Sequence, residues 1–258
     1  MPREQNIERI ENKVLHGDCL ELMKDIPDKS IDMILCDLPY GTTACKWDTI
    51  IPFEPLWEQY KRIIKDNGAI VLSGNEPFSS YLRISNIEYY KYDLYWQKER
   101  PVNILQLKRR FGKTVENVMV FYKKQCTYNP IKYKTDKYVY NRIGNGKLGK
   151  LIDSKNKKAF NYTDDGTRYP KDVLYFVRDS TGKGKNIHPT QKPVALFEYL
   201  IKTYTNEGDL VLDNCAGSGT TAIACINTNR NYILIEKQKE YIDIINERIK
   251  NHQPSLLK

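Results

Sequence analysis

No apolar run in this 258-residue chain approaches the ~20 residues that a membrane-spanning helix needs. The first residues, "MPREQNIERIENK", lack the apolar core of a secretory signal, so a cytoplasmic location is expected. Cysteine is scarce: Cys19, Cys36, Cys45, Cys126, Cys215 and Cys225 are all there are, and none form a Cys-x-x-Cys pair. That spacing argues against a zinc site or a disulfide framework, and no metal is expected. There is no internal repeat and no strict low-complexity tract.

What is present is enough apolar content, 40%, for a real core in one large domain or a domain carrying an insert. The formal charge of +9 is unevenly spread. From Lys123 to Lys185 there are sixteen Lys/Arg against six Asp/Glu, whereas the rest of the chain has twenty-five against twenty-six. Tyrosines interleave the basic segment. Cations neutralise phosphates and aromatic faces stack on bases; a solvated, loop-rich surface is the plainer alternative.

Strand and helix signals alternate along the first half. "SIDMILCD" reads as a buried strand. "EPLWEQYKRIIKDNG" has helical spacing at Leu56, Tyr60, Ile63 and Ile64, with Gly68 as the expected stop. "AIVLS", "YDLYWQK" and "VENVMVFYK" read as further strands. The pattern dissolves from about Gln125 to Ile187, where only weak strands such as "VLYFVR" appear. Order returns with an expected helix capped by Thr190, the strand "DLVLD", a helix through "TTAIACINT", the strand "NYILIE" and a last helix, "KEYIDIINERIK". This predicts an α/β fold, a mostly parallel sheet covered by helices on both faces. Its expected divisions are residues 1–124, an insert at 125–187, and residues 188–258.

Two stretches carry chemistry. "LVLDNCAGSGTT" ends a strand at Asp213 and turns through Gly217 and Gly219, glycines that let backbone approach a ligand. Twenty-three positions after Asp213, Glu236 ends the next strand, where a carboxylate can accept both hydroxyls of a ribose. A nucleoside-containing cofactor is implied. No Gly-Lys-Ser/Thr follows, which argues against a phosphate loop. Ala222 at the third glycine position leaves a nicotinamide dinucleotide open. The other stretch is "DLPY", Asp37 to Tyr40, which places an acid, a rigid kink and an aromatic ring at the mouth of a strand.

Taken together, these residues resemble the amino-group DNA methyltransferases that use S-adenosylmethionine. "DLPY" looks like the family's catalytic D/N/S-P-P-Y/F motif. "DNCAGSGTT" looks like its cofactor loop, "HPTQKP" (His188 to Pro193) like the segment before that loop, and "HGDCLELM" (His16 to Met23) like the piece whose acid, Asp18, lies near the adenine of the cofactor. The catalytic motif precedes the variable region and the cofactor loop comes last, the order of the β class. The resemblance implies a Rossmann-like seven-stranded, mostly parallel sheet with one reversed strand, and a target-recognition role for the insert.

It also implies roles. Asp37 and the Leu38 carbonyl would hold the amino group of a flipped base, with Pro39 fixing that carbonyl and Tyr40 stacking on the ring. Asp18, Thr190, Lys192, Asp213, Cys215, Gly217, Gly219, Thr220, Thr221 and Glu236 would hold the cofactor; Lys192 pairs with its carboxylate or is a solvated lysine. Arg109, Arg110 and Lys113, with Lys132, Lys134, Lys137 and Arg142, are candidates for contact with double-stranded DNA. Trp47 and His188 read as structural. Leu38 departs from the family's first proline, and Asn214 and Cys215 from its proline and phenylalanine. Asp at the first motif position favours N6 of adenine. Cytosine N4, RNA, or DNA binding without turnover are the alternatives. A homodimer, nucleoid association and a restriction–modification setting are further expectations of the resemblance.

Overall fold

In a computed structural model, the described residues are 7, 10–42, 48–135, 166–179 and 191–252, with the backbone alone at 142–143 and 161–162. Thr190, His188, Trp47, Cys45 and Lys137 lie outside them, as does the side chain of Arg142. The chain divides into two compact units, Met1–Asn129 with Asp172–Lys258, and Pro130–Lys171. The second holds two short antiparallel ladders, Tyr133–Lys134 with Thr167–Arg168 and Arg142–Ile143 with Asn161–Tyr162.

The first unit is built on one eight-stranded sheet. Its strands are β1 (Lys13–His16), β2 (Ile31–Cys36), β3 (Ile64–Gly74), β4 (Tyr90–Gln97), β5 (Val115–Phe121), β6 (Val173–Tyr175), β7 (Leu210–Asp213) and β8 (Asn231–Glu236). They lie in the order β1-β8-β7-β2-β3-β5-β4-β6, all parallel to their neighbours except β5, which is reversed. Seven strands and one reversal match the family expectation. The eighth, β6, comes from "VLYFVR" and runs three residues along β4.

Strand residues alternate between two cores, one on each face. Ile34, Cys36, Ile70, Leu72, Met119 and Phe121 face one. Met33, Leu35, Ala69, Val71, Val118 and Val120 face the other. The first is covered by α1 (Cys19–Leu22), α2 (Phe53–Ile63) and α3 (Phe78–Ser85), the second by α4 (Val194–Tyr204), α5 (Thr220–Asn227) and α6 (Lys239–Asn251). Because both faces are covered, β2 and β7 read as near-continuous apolar runs. α2 buries Leu56, Trp57, Tyr60 and Ile63 at helical spacing, and Pro55 sits in its first turn, where a missing amide costs no helical bond.

Two local expectations are corrected. α2 does not run to Gly68: it ends at Ile63, and β3 starts at Ile64. Gly68 is a strand residue. A Cβ there would stand 2.8 Å from the Asp32 carbonyl oxygen, so glycine permits the close strand approach where the β2–β3 register shifts, between Ile31 and Met33. At the start of α4 the residue in the cap position is Pro193, and the Val194 amide donates to Asp179 Oδ2 at 3.1 Å.

Candidate active site

β7 and β2 are neighbours in the sheet. From β2 the chain goes on to β3 on one side, and from β7 to β8 on the other. A crevice forms outside the carboxyl ends of strands at such a switch point. Here a cavity of about 910 Å³ opens, at the upper end of the size of small-molecule sites. Asp37, Asp213 and Glu236 line it, each at the carboxyl end of a parallel strand. Glu116 reaches the same edge for the opposite reason: β5 is reversed, so its first residues lie where the other strands end.

The Asp37–Tyr40 loop is held from several sides. Leu38 is buried in the first core, so its side chain anchors the loop where the family has proline. Asp48 braces the exit, accepting from the amides of Gly41 at 2.8 Å and Thr42 at 2.9 Å. The Tyr40 ring packs 5.1 Å from that of Phe78. Its hydroxyl donates to Asp37 Oδ1 and, at 3.1 Å, to Glu116 Oε1. Burial, with Asp37 and Glu116 alongside, holds the Tyr40 phenol well above its ordinary pKa.

Lys192 stands between the two acids. Its Nζ is 2.5 Å from Asp37 Oδ2 and 2.8 Å from Glu116 Oε1. Lys98 Nζ takes the other Glu116 oxygen at 2.6 Å and lies 4.7 Å over the Trp96 ring. The Glu116 side chain is only 3% exposed and that of Lys192 7%. Burial pushes the Glu116 carboxyl up, but Lys192 and Lys98 outweigh it and hold it at about 2. Burial likewise opposes the Lys192 charge, and Asp37 and Glu116 outweigh it, so its pKa is raised. Lys192, a candidate for the cofactor carboxylate, thus lies on the acid of "DLPY". Glu116 and Lys98 escaped the sequence reading. Their signal was phase: Glu116 shares the face of Val118 and Val120 in "VENVMVF", where a lone carboxylate must be paired or costly.

The glycine turn is equally ordered. Cys215 N donates to Asp213 Oδ1 at 3.1 Å, and the Thr221 hydroxyl donates to Asp213 Oδ2. Glu236 accepts from Gly217 N and Gln238 N, both at 2.8 Å, one on each oxygen. Each oxygen keeps a lone pair, so the group still fits a ribose diol. Burial raises the Glu236 carboxyl, and burial raises Asp213 to about 6. Gly217 has φ 52° and Gly219 φ 78°, both left-handed. From α6, Arg248 clamps the turn by donating to Ser218 O at 2.9 Å, a contact without local signal in the sequence. The departures at 214–215 have partners: the Tyr60 hydroxyl donates to Asn214 Oδ1 at 2.5 Å, and Cys215 packs against the first core.

Asp18, Lys192, Asp213, Cys215, Gly217, Thr220 and Glu236 all line the cavity; Gly219 and Thr221 are not among its lining residues. Asp18 also caps α1, accepting from Leu20 N at 3.0 Å. Burial works against its charge, but Lys237 and the Leu20 amide outweigh it and lower its pKa. The loop between β4 and β5 reaches the cavity at Arg100, Pro101, Val102 and Ile104. The Asn103 side chain clasps this loop, donating to Phe111 O at 3.0 Å and accepting from Lys113 N at 2.6 Å. Arg109 and Arg110 are exposed on it and Lys113 is half-buried. Leu105 and Phe111 are each 99% exposed there. Lys132 and Lys134 are exposed on the second unit.

Fold and site define a Rossmann-like α/β protein in which a nucleoside-type turn and an acidic–aromatic loop share one cavity. The family described as DNA methylase, of the N6/N4 type, matches residues 31–247. The chain belongs to this family, which removes the nicotinamide dinucleotide alternative. It is 28% identical to the Type II methyltransferase M.HinfI of Haemophilus influenzae, over 97% of this chain and 72% of that one. It is 31% identical to the DNA adenine methyltransferase YhdJ of Escherichia coli K12, over 89% and 79%. Among solved structures, M1.HpyAVI in complex with SAM superposes with a TM-score of 0.64 at 27% identity, covering 92% of this chain and 98% of that one. The cytosine-N4-specific PvuII DNA methyltransferase, 18% identical, shares the fold at a TM-score of 0.65 over 96% and 88%. No described helix is long and apolar enough to cross a membrane.

Proposed function

We propose that the chain transfers a methyl group from S-adenosylmethionine to N6 of adenine in duplex DNA. The observation that carries this is the joint opening of the Asp37–Tyr40 loop and the Gly217–Glu236 turn into one cavity. Glu236 has free acceptor positions for a ribose, and Asp18 and Cys215 line the same pocket. When bound, S-adenosylmethionine supplies an electrophilic methyl group on a sulfonium.

The residues of the chain supply the nucleophile's geometry. An exocyclic amine is a poor nucleophile because its lone pair is delocalised into the ring. Asp37 accepts one amino hydrogen and the Leu38 carbonyl the other, which favours a tetrahedral nitrogen with its lone pair free. Tyr40 stacks on the base. Holding the two reactants in one cavity turns the step into an effectively unimolecular one. The base must leave the duplex first, at a cost of a few kcal/mol. The clasped loop with Arg109, Arg110, Leu105 and Phe111 offers cations and apolar side chains beside the cavity mouth, which suits a stacked, anionic partner.

Adenine is favoured over cytosine by the relative named a DNA adenine methyltransferase and by Asp at the first motif position. The Type II methyltransferase relatives support a restriction–modification setting. Target recognition by residues 125–187, homodimerisation, and action at the nucleoid in the cytoplasm belong to the same reading; sedimentation and imaging of a tagged chain check the last two. The main test is transfer of tritiated methyl from S-adenosylmethionine to unmodified genomic DNA, followed by nucleoside analysis. N6-methyladenine is expected, and Asp37→Ala should abolish transfer while leaving cofactor binding. N4-methylcytosine as the product, or full activity of the variant, overturns the reading of target or residue respectively.

A further inference from the structure

Both oxygens of Asp37 carry a donor already: the Tyr40 hydroxyl on Oδ1 and Lys192 Nζ on Oδ2, the latter at 2.5 Å. A carboxylate neutralised by a buried ammonium at that distance is a weakened acceptor. The reading above needs Asp37 as a strong acceptor for a base amine. Both donors have the same second acceptor. Glu116 Oε1 is 2.8 Å from Lys192 Nζ and 3.1 Å from the Tyr40 hydroxyl. Glu116 cannot turn away, because Lys98 holds its other oxygen at 2.6 Å.

Resting on the reading of Asp37 as the residue that grips the base, we propose that Glu116 is a positioning residue: it takes up Lys192 and the Tyr40 hydroxyl as the base amine arrives, and so returns the charge of Asp37 to the substrate. Two carboxylates and two ammoniums make the group neutral as a whole. The exchange therefore leaves the net charge unchanged, and the carboxylate that gives up its cation is Asp37, the more exposed of the two at 24% against 3%. A carboxylate buried beside the site, rather than a polar amide, is explained by this duty. An amide would attract the ammonium too weakly to compete with Asp37, and Lys192 would stay latched on it.

The test uses the full chain, tritiated S-adenosylmethionine and unmodified genomic DNA. Glu116→Gln should lower the single-turnover rate at saturating substrates by roughly 100-fold, the scale of a lost charged group in a transition state. Its Kd for S-adenosylmethionine should change by less than about threefold, a change too small to signal a lost contact. Adding Glu116→Gln to Lys192→Met should cost less than about threefold more, because residues acting as a unit are non-additive. That comparison also decides the matter should Glu116→Gln alone fail to fold, since the double variant, left with Asp37 and Lys98, keeps the group neutral as a whole. A wild-type rate in Glu116→Gln overturns the proposal. So does a loss of cofactor affinity in step with rate, or a full further 100-fold-scale loss in the double variant. A wild-type chain that binds the cofactor but methylates no DNA sinks the proposed function instead.

Discussion

Ile245 on α6 fills the space where Gly219 has no side chain. A Cβ on Gly219 would stand 2.9 Å from Ile245 Cγ2, and the residue sits at φ 78°. Ile245 is wholly buried, so it has nowhere to move. The glycine therefore serves helix packing and turn geometry more than direct ligand approach. Gly219→Ala should cost roughly 2 kcal/mol through left-handed strain and overpacking, and it should weaken the cofactor turn with it. In a double-mutant cycle by urea unfolding, Gly219→Ala with Ile245→Ala should lose clearly less than the two single losses combined. Strict additivity would show that the contact does not set the cost.

Asp213 gives a pH dependence of definite sign. Burial raises its carboxyl from the usual 3.8 to about 6, so between these values the folded chain binds more protons than the unfolded one. Its contribution to stability is full below about pH 4 and is lost as pH rises through 6, on the order of 2–3 kcal/mol at most. Asp213→Asn keeps the shape and removes that loss. Relative to wild type, the variant should gain stability from pH 4 to pH 8. Urea midpoints of both proteins at several pH values check this; a difference that is flat, or that grows toward acid, contradicts it.

The fold was legible wherever period and length agreed. β2, β7, β8, α4 and α6 all sit where the apolar pattern placed them. The end of α2 was not, because Ile63 and Ile64 continue a helical face in the sequence while belonging to different elements. Only the approach of Asp32 O to Gly68 marks that residue as a strand position, and no local pattern records a neighbour thirty-six places away. The site was legible in its acids and glycines, which are local motifs. Glu116, Lys98 and Arg248 were not, since each acts through a partner on another strand or helix. Lys192 shows the limit well. Its place in "HPTQKP" says that it lies near the cavity, and only the reversed β5 decides which acids it meets.

Tyr40 has two separable parts. Its ring lies against Phe78, and its hydroxyl bridges Asp37 and Glu116. Tyr40→Phe keeps the ring and should retain most affinity for DNA; because the hydroxyl it removes also occupies Asp37 Oδ1, the rate of transfer should fall by less than about threefold, short of the cost of one lost hydrogen bond. Tyr40→Ala also removes the stacking face and should weaken DNA binding by a further 5- to 150-fold, roughly 1–3 kcal/mol per stacked base. Neither should change the Kd for S-adenosylmethionine. Equal effects of the two variants on DNA affinity would remove the stacking role.

Arg109 and Arg110 are exposed on a loop whose stem is fixed by Asn103. Their backbone amides are satisfied by Gln106 O at 2.9 and 3.0 Å, so the guanidinium groups are not needed to hold the loop. Removing them should leave the unfolding transition in place. Exposed cations that neutralise phosphates release counterions, and each contributes about 0.9 to the slope of log affinity against log salt. Arg109→Ala with Arg110→Ala should therefore lower that slope by about 2 in a titration of a labelled duplex from about 50 to 200 mM NaCl. The affinity lost should be greatest at low salt and shrink toward high salt, since the missing term is purely ionic. A slope unchanged by both substitutions would move the phosphate contacts off this loop and leave the basic segment from Lys123 to Lys185 to carry them.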